Sequence, residues 1–369
     1  MRQKTVVVCI GTRPEAIKMA PVIRRLEGCD WARTVTVATG QHRKLLDQVL
    51  DAFDLRVEFD LNLMREEQNP VVLASRVLSG LEPVFRKVAP DFVLAQGDTT
   101  TLLATAITSY YQRVPFGHVE AGLRTFDFYA PFPEEGNRVV ATGLAAVHFA
   151  PTEQARANLL KENVPDERIQ VVGNTVVDAL DGVSRRAERF DPELDSDRRL
   201  VVVTVHRRES LASPLRRICQ GIRAIVRRFP EVEILWPVHP NPQVSTPVRE
   251  LMGGVPRVRL VPPLPYPEFI GALAHAHLAL TDSGGIQEEA PVLGVPVLVL
   301  RDKTERPEAV EAGVARLVGT SPEEIERQTA ALLENPSLHR QMSVRCSPFG
   351  DGHAAERIVA WLQEALERK

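Results

Sequence analysis

The sequence predicts an α/β protein built as two doubly wound parallel domains. Three observations lead there. Short apolar runs alternate with helical periodicity from end to end, the runs are rich in Val and Ile without polar alternation, and 369 residues exceed what one core comfortably holds. Runs without alternation suit strands buried on both faces, and strand–helix–strand succession implies right-handed parallel units of the Rossmann kind.

In the first half the candidate strands are Thr5–Ile10, Val35–Thr39, Asp91–Gln96, Pro115–Val119, Val147–Ala150 and Ile169–Val172. Helical stretches such as Pro14–Leu26 and His42–Phe53 lie between them. From Asp181 to Arg199 the composition turns to charge, which marks a boundary. The pattern restarts with Leu200–Val205, Glu233–Trp236, Val258–Val261, Leu278–Thr281, Val295–Leu300 and Ala315–Val318. The expected division is 1–180, 181–353 and a terminal segment 354–369, whose amphipathic helix Ala354–Leu366 follows a Gly-Asp-Gly turn and packs back across both halves.

Composition narrows the partners. Hydrophobic content of 44%, charged content of 25% and a net charge of −3 describe an ordinary soluble globular protein, with no basic stripe for nucleic acid. No apolar run approaches the ~20 residues of a membrane helix. Cys9, Cys29, Cys219 and Cys346 show no CxxC spacing, which argues against a zinc site or disulfide framework and fits a reducing compartment. With no signal-peptide pattern before Thr5, a cytoplasmic protein is expected, with no nucleic-acid or membrane partner.

The polar motifs share one placement: each begins where a strand runs out, the ligand-binding edge of an open α/β sheet. Gly11–Glu15 (GTRPE) ends the first strand, and its helix start, with Arg13 and Lys18, suits an anion. It is not GxGxxG, so a dinucleotide is poorly supported. Thr281–Ala290 (TDSGGIQEEA) is more specific. Ser283, Gly284 and Gly285 open a helix that a phosphate can approach, and Glu288 and Glu289 lie one turn inside, in reach of a ribose. A carboxylate near phosphates is costly unless it serves hydroxyl groups, which favours a nucleotide sugar.

His206, in Thr204–Glu209 (TVHRRE), is a candidate phosphate donor or general acid, and Arg306, in Arg301–Glu308 (RDKTERPE), falls near a diphosphate. Asp98, Glu120 and Glu134 form the carboxylate set, Glu134 lying in Pro131–Arg138 (PFPEEGNR), a two-proline loop. Crowded carboxylates can be split so that one holds a proton while another accepts, although Asp98 before three threonines also suits a helix N-cap. Individual roles are not derivable from the residues. No histidine has metal-ligand spacing, and metal-independent chemistry is the simpler reading.

Taken together, GTRPEAIKMAP, QGDTTT, HVEAGLRT, PFPEEGNR, TVHRRES, TDSGGIQEEAP, RDKTERPEA and PFGDGHAAERI resemble the non-hydrolysing bacterial UDP-N-acetylglucosamine 2-epimerases, in family order over nearly the whole chain. The resemblance implies a GT-B-like pair of Rossmann domains with an interdomain active-site cleft that assembles as the domains close. It implies interconversion of UDP-GlcNAc and UDP-ManNAc through 2-acetamidoglucal, without a redox cofactor or metal. Asp98, Glu120 and Glu134 match the family's catalytic carboxylates, and Arg13, Lys18, Arg138, His206 and Arg306 its cleft residues. Ser283 and Gly284, with Gly285 beside them, match the phosphate contacts, and Glu289 the ribose contact. The expected partners are a UDP-sugar and a second copy of the chain.

Four residues depart from the family pattern. Ser210 replaces the usual Asn, and Gly136 replaces a bulkier residue, which predicts a more mobile loop around Glu134. Gln41, His42, Glu134, Arg207 and His239 fit a second, activating UDP-GlcNAc site, but Lys44 and Glu67 depart from it and leave activation open. Alternatives are a hydrolysing epimerase, disfavoured by Glu15 where such relatives carry Asp, an epimerase for a modified sugar, a GT-B glycosyltransferase and a non-enzymatic sensor.

Overall fold

The computed structural model describes residues 2–40, 43–63, 69–187, 190, 198–207 and 210–368, with only the backbone of 43–45 and 184–186. Gln41, His42, Glu67, Arg208 and Glu209 lie outside the described residues, as do most of the charged stretch before Arg199 and the side chain of Lys44.

The chain forms two compact units, Met1–Gly182 with Phe349–Lys369, and Val183–Pro348. The first unit holds strands β1 (Lys4–Ile10), β2 (Ala32–Ala38), β3 (Phe59–Asp60), β4 (Phe92–Gln96), β5 (Phe116–Val119), β6 (Val147–Ala150) and β7 (Ile169–Val171). All pair in parallel, in the order β3-β2-β1-β4-β5-β6-β7. The second unit holds β8 (Arg199–Thr204), β9 (Val232–Pro237), β10 (Val258–Val261), β11 (Leu278–Thr281), β12 (Val297–Val299) and β13 (Ala315–Leu317), again parallel, in the order β10-β9-β8-β11-β12-β13. Both are doubly wound Rossmann-type sheets.

The strand order positions the motifs. Each sheet reverses direction where its first strand meets its fourth, at β1/β4 and β8/β11. Ligands bind outside the strand ends at such a switch point. The segment after β1 carries GTRPE and that after β4 carries Asp98, while β8 and β11 lead into His206 and Ser283. Register keeps the ends level in the second sheet, where Thr204 pairs with Thr281 and their hydroxyls lie 2.6 Å apart.

Every strand expected from the apolar runs is present, with ends shifted by up to three residues. Residues Val6–Ile10 and Val201–Val203 are almost fully buried, the burial on both faces that their lack of alternation implied. β3 was not expected: two residues at a sheet edge, with Asp60 exposed, leave no apolar run to read.

The terminal helix Ala354–Glu367 belongs to the first unit. Trp361 meets Phe92 and Phe149 edge-on, and the backbone N–H of Ala355 donates to the Asp178 carboxylate at 2.9 Å. No helix among the described residues is long and apolar enough to cross a membrane.

Candidate active site

In the first unit the sequence left Asp98 between helix cap and functional acid. Thr99 is the cap: its hydroxyl accepts from the N–H groups of Thr101 and Leu102 at 3.1 and 3.3 Å. Asp98 instead faces Arg138, whose Nη1 donates to its carboxylate at 2.5 Å. Arg138, expected to bind substrate, is 1% exposed and also grips Glu135, which in turn accepts from the backbone of Thr125 and Phe126 at 3.0 Å each. A buried guanidinium thus fixes Asp98 relative to the following segment.

That segment differs from the expected loop. Glu134 is the first residue of the helix Glu134–Leu144, and its carboxylate lies with Glu135 in the first turn, where the helix dipole favours negative charge. Two cis prolines, Pro131 and Pro133, precede it. The space over Gly136 is filled by the ring of Phe128, so the missing side chain makes room for an aromatic packed on a helix.

Glu120 follows β5 in the left-handed region at φ 63, sparsely populated for a non-glycine residue. Its carboxylate is buried and accepts from Lys18 Nζ and from Asn174 Nδ2, the latter at 2.9 Å. Lys18, expected to meet substrate, is here the ion-pair partner of a catalytic candidate. His118 at the same strand end is buried, and desolvation pulls its pKa down to about 3. It stays neutral, and its Nε2–H donates to the Gly97 carbonyl at 2.8 Å, holding the turn before Asp98.

The GTRPE helix starts one residue earlier than expected. The helix begins at Arg13, with Pro14 in its second position and Arg13 half-exposed. The Gly11 and Thr12 N–H groups donate to the Glu15 carboxylate at 3.1 and 2.6 Å, and Thr99 donates to its other oxygen at 2.6 Å. These two N–H groups, just before the helix, are taken by the helix's own side chain. Burial pushes the Glu15 pKa up to about 7 despite these donors.

In the second unit His206 is exposed beyond β8, and its backbone is tied to the fully buried Asp282, which accepts from His206 N at 3.0 Å and Arg207 N at 2.9 Å. The His206 imidazole Nδ1 lies 3.4 Å from Asp282 Oδ1, and its ring stacks on that of His239 at 5.8 Å. Ser283 is the N-cap of the helix Gly284–Leu293 without using its hydroxyl for capping. Gly284 does not simply open the backbone: the guanidinium of Arg306 occupies its free face. Gly285 has open space instead, with Ser283 Oγ the nearest atom at 3.9 Å.

Arg306 pairs with Glu288 and Glu305 at 2.5 Å each, all three buried. Glu288, expected near a ribose, is therefore the partner of Arg306. Glu289 accepts from the Tyr266 hydroxyl at 3.0 Å, and Arg207 lies 3.7 Å from Glu305. Among the described residues no group of three or more His, Cys, Asp and Glu is arranged to hold a metal ion. One unit thus concentrates carboxylates held by cations, and the other a helix start flanked by a buried guanidinium and an exposed histidine.

The sequence profile described as UDP-N-acetylglucosamine 2-epimerase matches residues 24–363. The chain belongs to the UDP-N-acetylglucosamine 2-epimerase family. A probable UDP-N-acetylglucosamine 2-epimerase of Ralstonia nicotianae is 49% identical over 98% of this chain and 99% of its own. The UDP-N-acetylglucosamine 2-epimerase of Escherichia coli K12 is 46% identical over 97% and 98%. The crystal structure of UDP-GlcNAc 2-epimerase from Neisseria meningitidis bound to UDP-GlcNAc superposes with TM-score 0.95 at 40% identity, covering 98% of this chain and 100% of that one. The family is the non-hydrolysing epimerase type and has the GT-B class of fold.

Within this epimerase chain, Asn174 and Asp282 are among the polar residues left unassigned in the sequence. Asn174 follows β7 at a strand end, the same signal that singled out the other motifs. Asp282 stood inside the quoted TDSGG, but nothing local shows that it holds the backbone after β8.

Proposed function

We propose that this chain interconverts UDP-N-acetylglucosamine and UDP-N-acetylmannosamine by elimination and re-addition. A carboxylate takes the proton from sugar C2, the C1–O bond to UDP breaks with its electron pair leaving on the diphosphate, and a C1=C2 double bond gives 2-acetamidoglucal. UDP then re-forms the bond at C1 while C2 receives a proton on the opposite face. Two groups on opposite faces are needed, and Asp98, Glu120 and Glu134 are the three candidates.

The observation that carries this reading is the pair of carboxylates at the neighbouring strand ends β4 and β5, each held by its own cation, Asp98 by Arg138 and Glu120 by Lys18. Such pairing fixes where each carboxylate points, which is the alignment that proton transfer requires. In the second unit the Ser283–Gly285 helix start, Arg306 and His206 suit the charge that develops on departing UDP. Glu289 and Tyr266 suit a ribose. Arg13 is the further cation on the carboxylate side.

The experiment is turnover of UDP-GlcNAc in deuterated water. The expected product is UDP-ManNAc carrying deuterium at C2, and Asp98→Asn or Glu120→Gln abolishes its formation while the circular dichroism spectrum is kept. Product without deuterium removes the elimination route, and free ManNAc as the main product removes re-addition.

A further inference from the structure

Asn174 lies outside the carboxylate and UDP-binding sets, yet its side chain reaches one of the carboxylates. Its two side-chain atoms have partners of fixed type, so the amide orientation is determined. Nδ2 donates to Glu120 Oε2 at 2.9 Å, and that carboxylate can only accept when ionised. Oδ1 accepts from the Val176 N–H at 3.1 Å, which can only donate. The residue is 2% exposed. One buried amide therefore does two jobs: it closes the start of the helix Thr175–Ala187, and it steers the Glu120 carboxylate from the side opposite in sequence to Lys18.

The backbone of Asn174 is fixed as firmly as its side chain. Its N–H donates to the Phe349 carbonyl at 2.6 Å, where the terminal segment returns to the first unit. This approach is backbone against backbone and uses two glycines. Gly173 has φ 96 and Gly350 φ 132, and a β-carbon on Gly350 would stand 2.9 Å from Gly173 Cα and 3.2 Å from Asn174 N. The PFGDG turn thus anchors the residue that touches Glu120.

We propose that Asn174 is a positioning residue for the C2 proton transfer, orienting the Glu120 carboxylate through the Nδ2 hydrogen bond. The proposal rests on the epimerisation reading above. An amide donor holds the carboxylate in one rotamer without adding charge, while a loosely held base loses the alignment that proton transfer requires.

Asn174→Ser separates the two jobs. Ser keeps a short side-chain oxygen for the Val176 N–H at the helix start. Its hydroxyl is too short to take over the hydrogen bond to Glu120. The expected result is a kcat lowered at least tenfold, with C2 deuterium exchange lowered in step, while the Kd for UDP stays within twofold and the melting temperature falls less than in Asn174→Ala. Asn174→Ala loses both bonds, so its kcat falls and its melting temperature falls as well. If wild type exchanges deuterium at C2 and Asn174→Ser exchanges at the wild-type rate, the positioning role is wrong. If wild type itself fails to exchange, the epimerisation reading fails first.

Discussion

The guanidinium of Arg306 fills the space that a side chain on Gly284 would need, so the glycine at this helix start is required by a buried protein cation. Its Nη1 and Nε reach Glu305 and Glu288, which leaves it little freedom to retreat. In the proposed reaction this places a positive charge beside the helix start that faces the diphosphate.

Gly284→Ala is expected to cost about 1–3 kcal/mol of stability through overpacking and to weaken UDP binding at least tenfold. Gly285→Ala, into open space, changes stability by less than about 0.5 kcal/mol. Denaturant unfolding and calorimetric titration with UDP measure both. Equal losses at the two glycines would contradict the assignment.

Glu15 gives stability an unusual pH dependence. Its pKa rises from 4.5 to about 7 on folding because burial disfavours the carboxylate. Between those values the unfolded chain ionises first, so its contribution is fully present below pH 4.5 and is lost as pH rises to 7. The loss is about 3 kcal/mol. Glu15→Gln removes this slope, so the stability of wild type relative to the variant should fall across that window. A pH-independent difference would show that Glu15 ionises normally.

His118 acts in the opposite direction. Its pKa falls from 6.5 to about 3 in the fold, again chiefly through burial. Its contribution is present above pH 6.5 and is lost as pH falls towards 3, by up to about 5 kcal/mol. His118→Gln retains a donor for the Gly97 carbonyl but does not titrate, so the variant should lose less stability than wild type on acidification from pH 6.5. Parallel acid limbs for the two proteins would rule this out.

Much of the molecule is legible without coordinates. Parallel strands buried on both faces leave uninterrupted Val and Ile runs, and strand ends are where polar residues resume, so β1, β4, β5, β8 and β11 and the motifs after them follow from local pattern. β3 does not, because two edge residues carry no periodicity. The helix at Glu134 was hidden by its two prolines, which read as a loop but sit before its first turn.

The amino-acid order alone determined the two doubly wound sheets, the placement of the polar motifs and the division of carboxylates from the glycine-rich helix start. Tertiary structure decided which charge meets which. Lys18 and Glu120 are 102 residues apart, Asp98 and Arg138 are 40 apart, and Asn174 reaches Glu120 across 54. It also turned the Glu15 carboxylate back onto the Gly11 and Thr12 N–H groups and set Arg306 over Gly284. Periodicity reports only the burial of neighbours along the chain. Ion pairs and buried hydrogen bonds depend on which strand lies beside which, and on the desolvation that makes an unpaired charge too costly to leave.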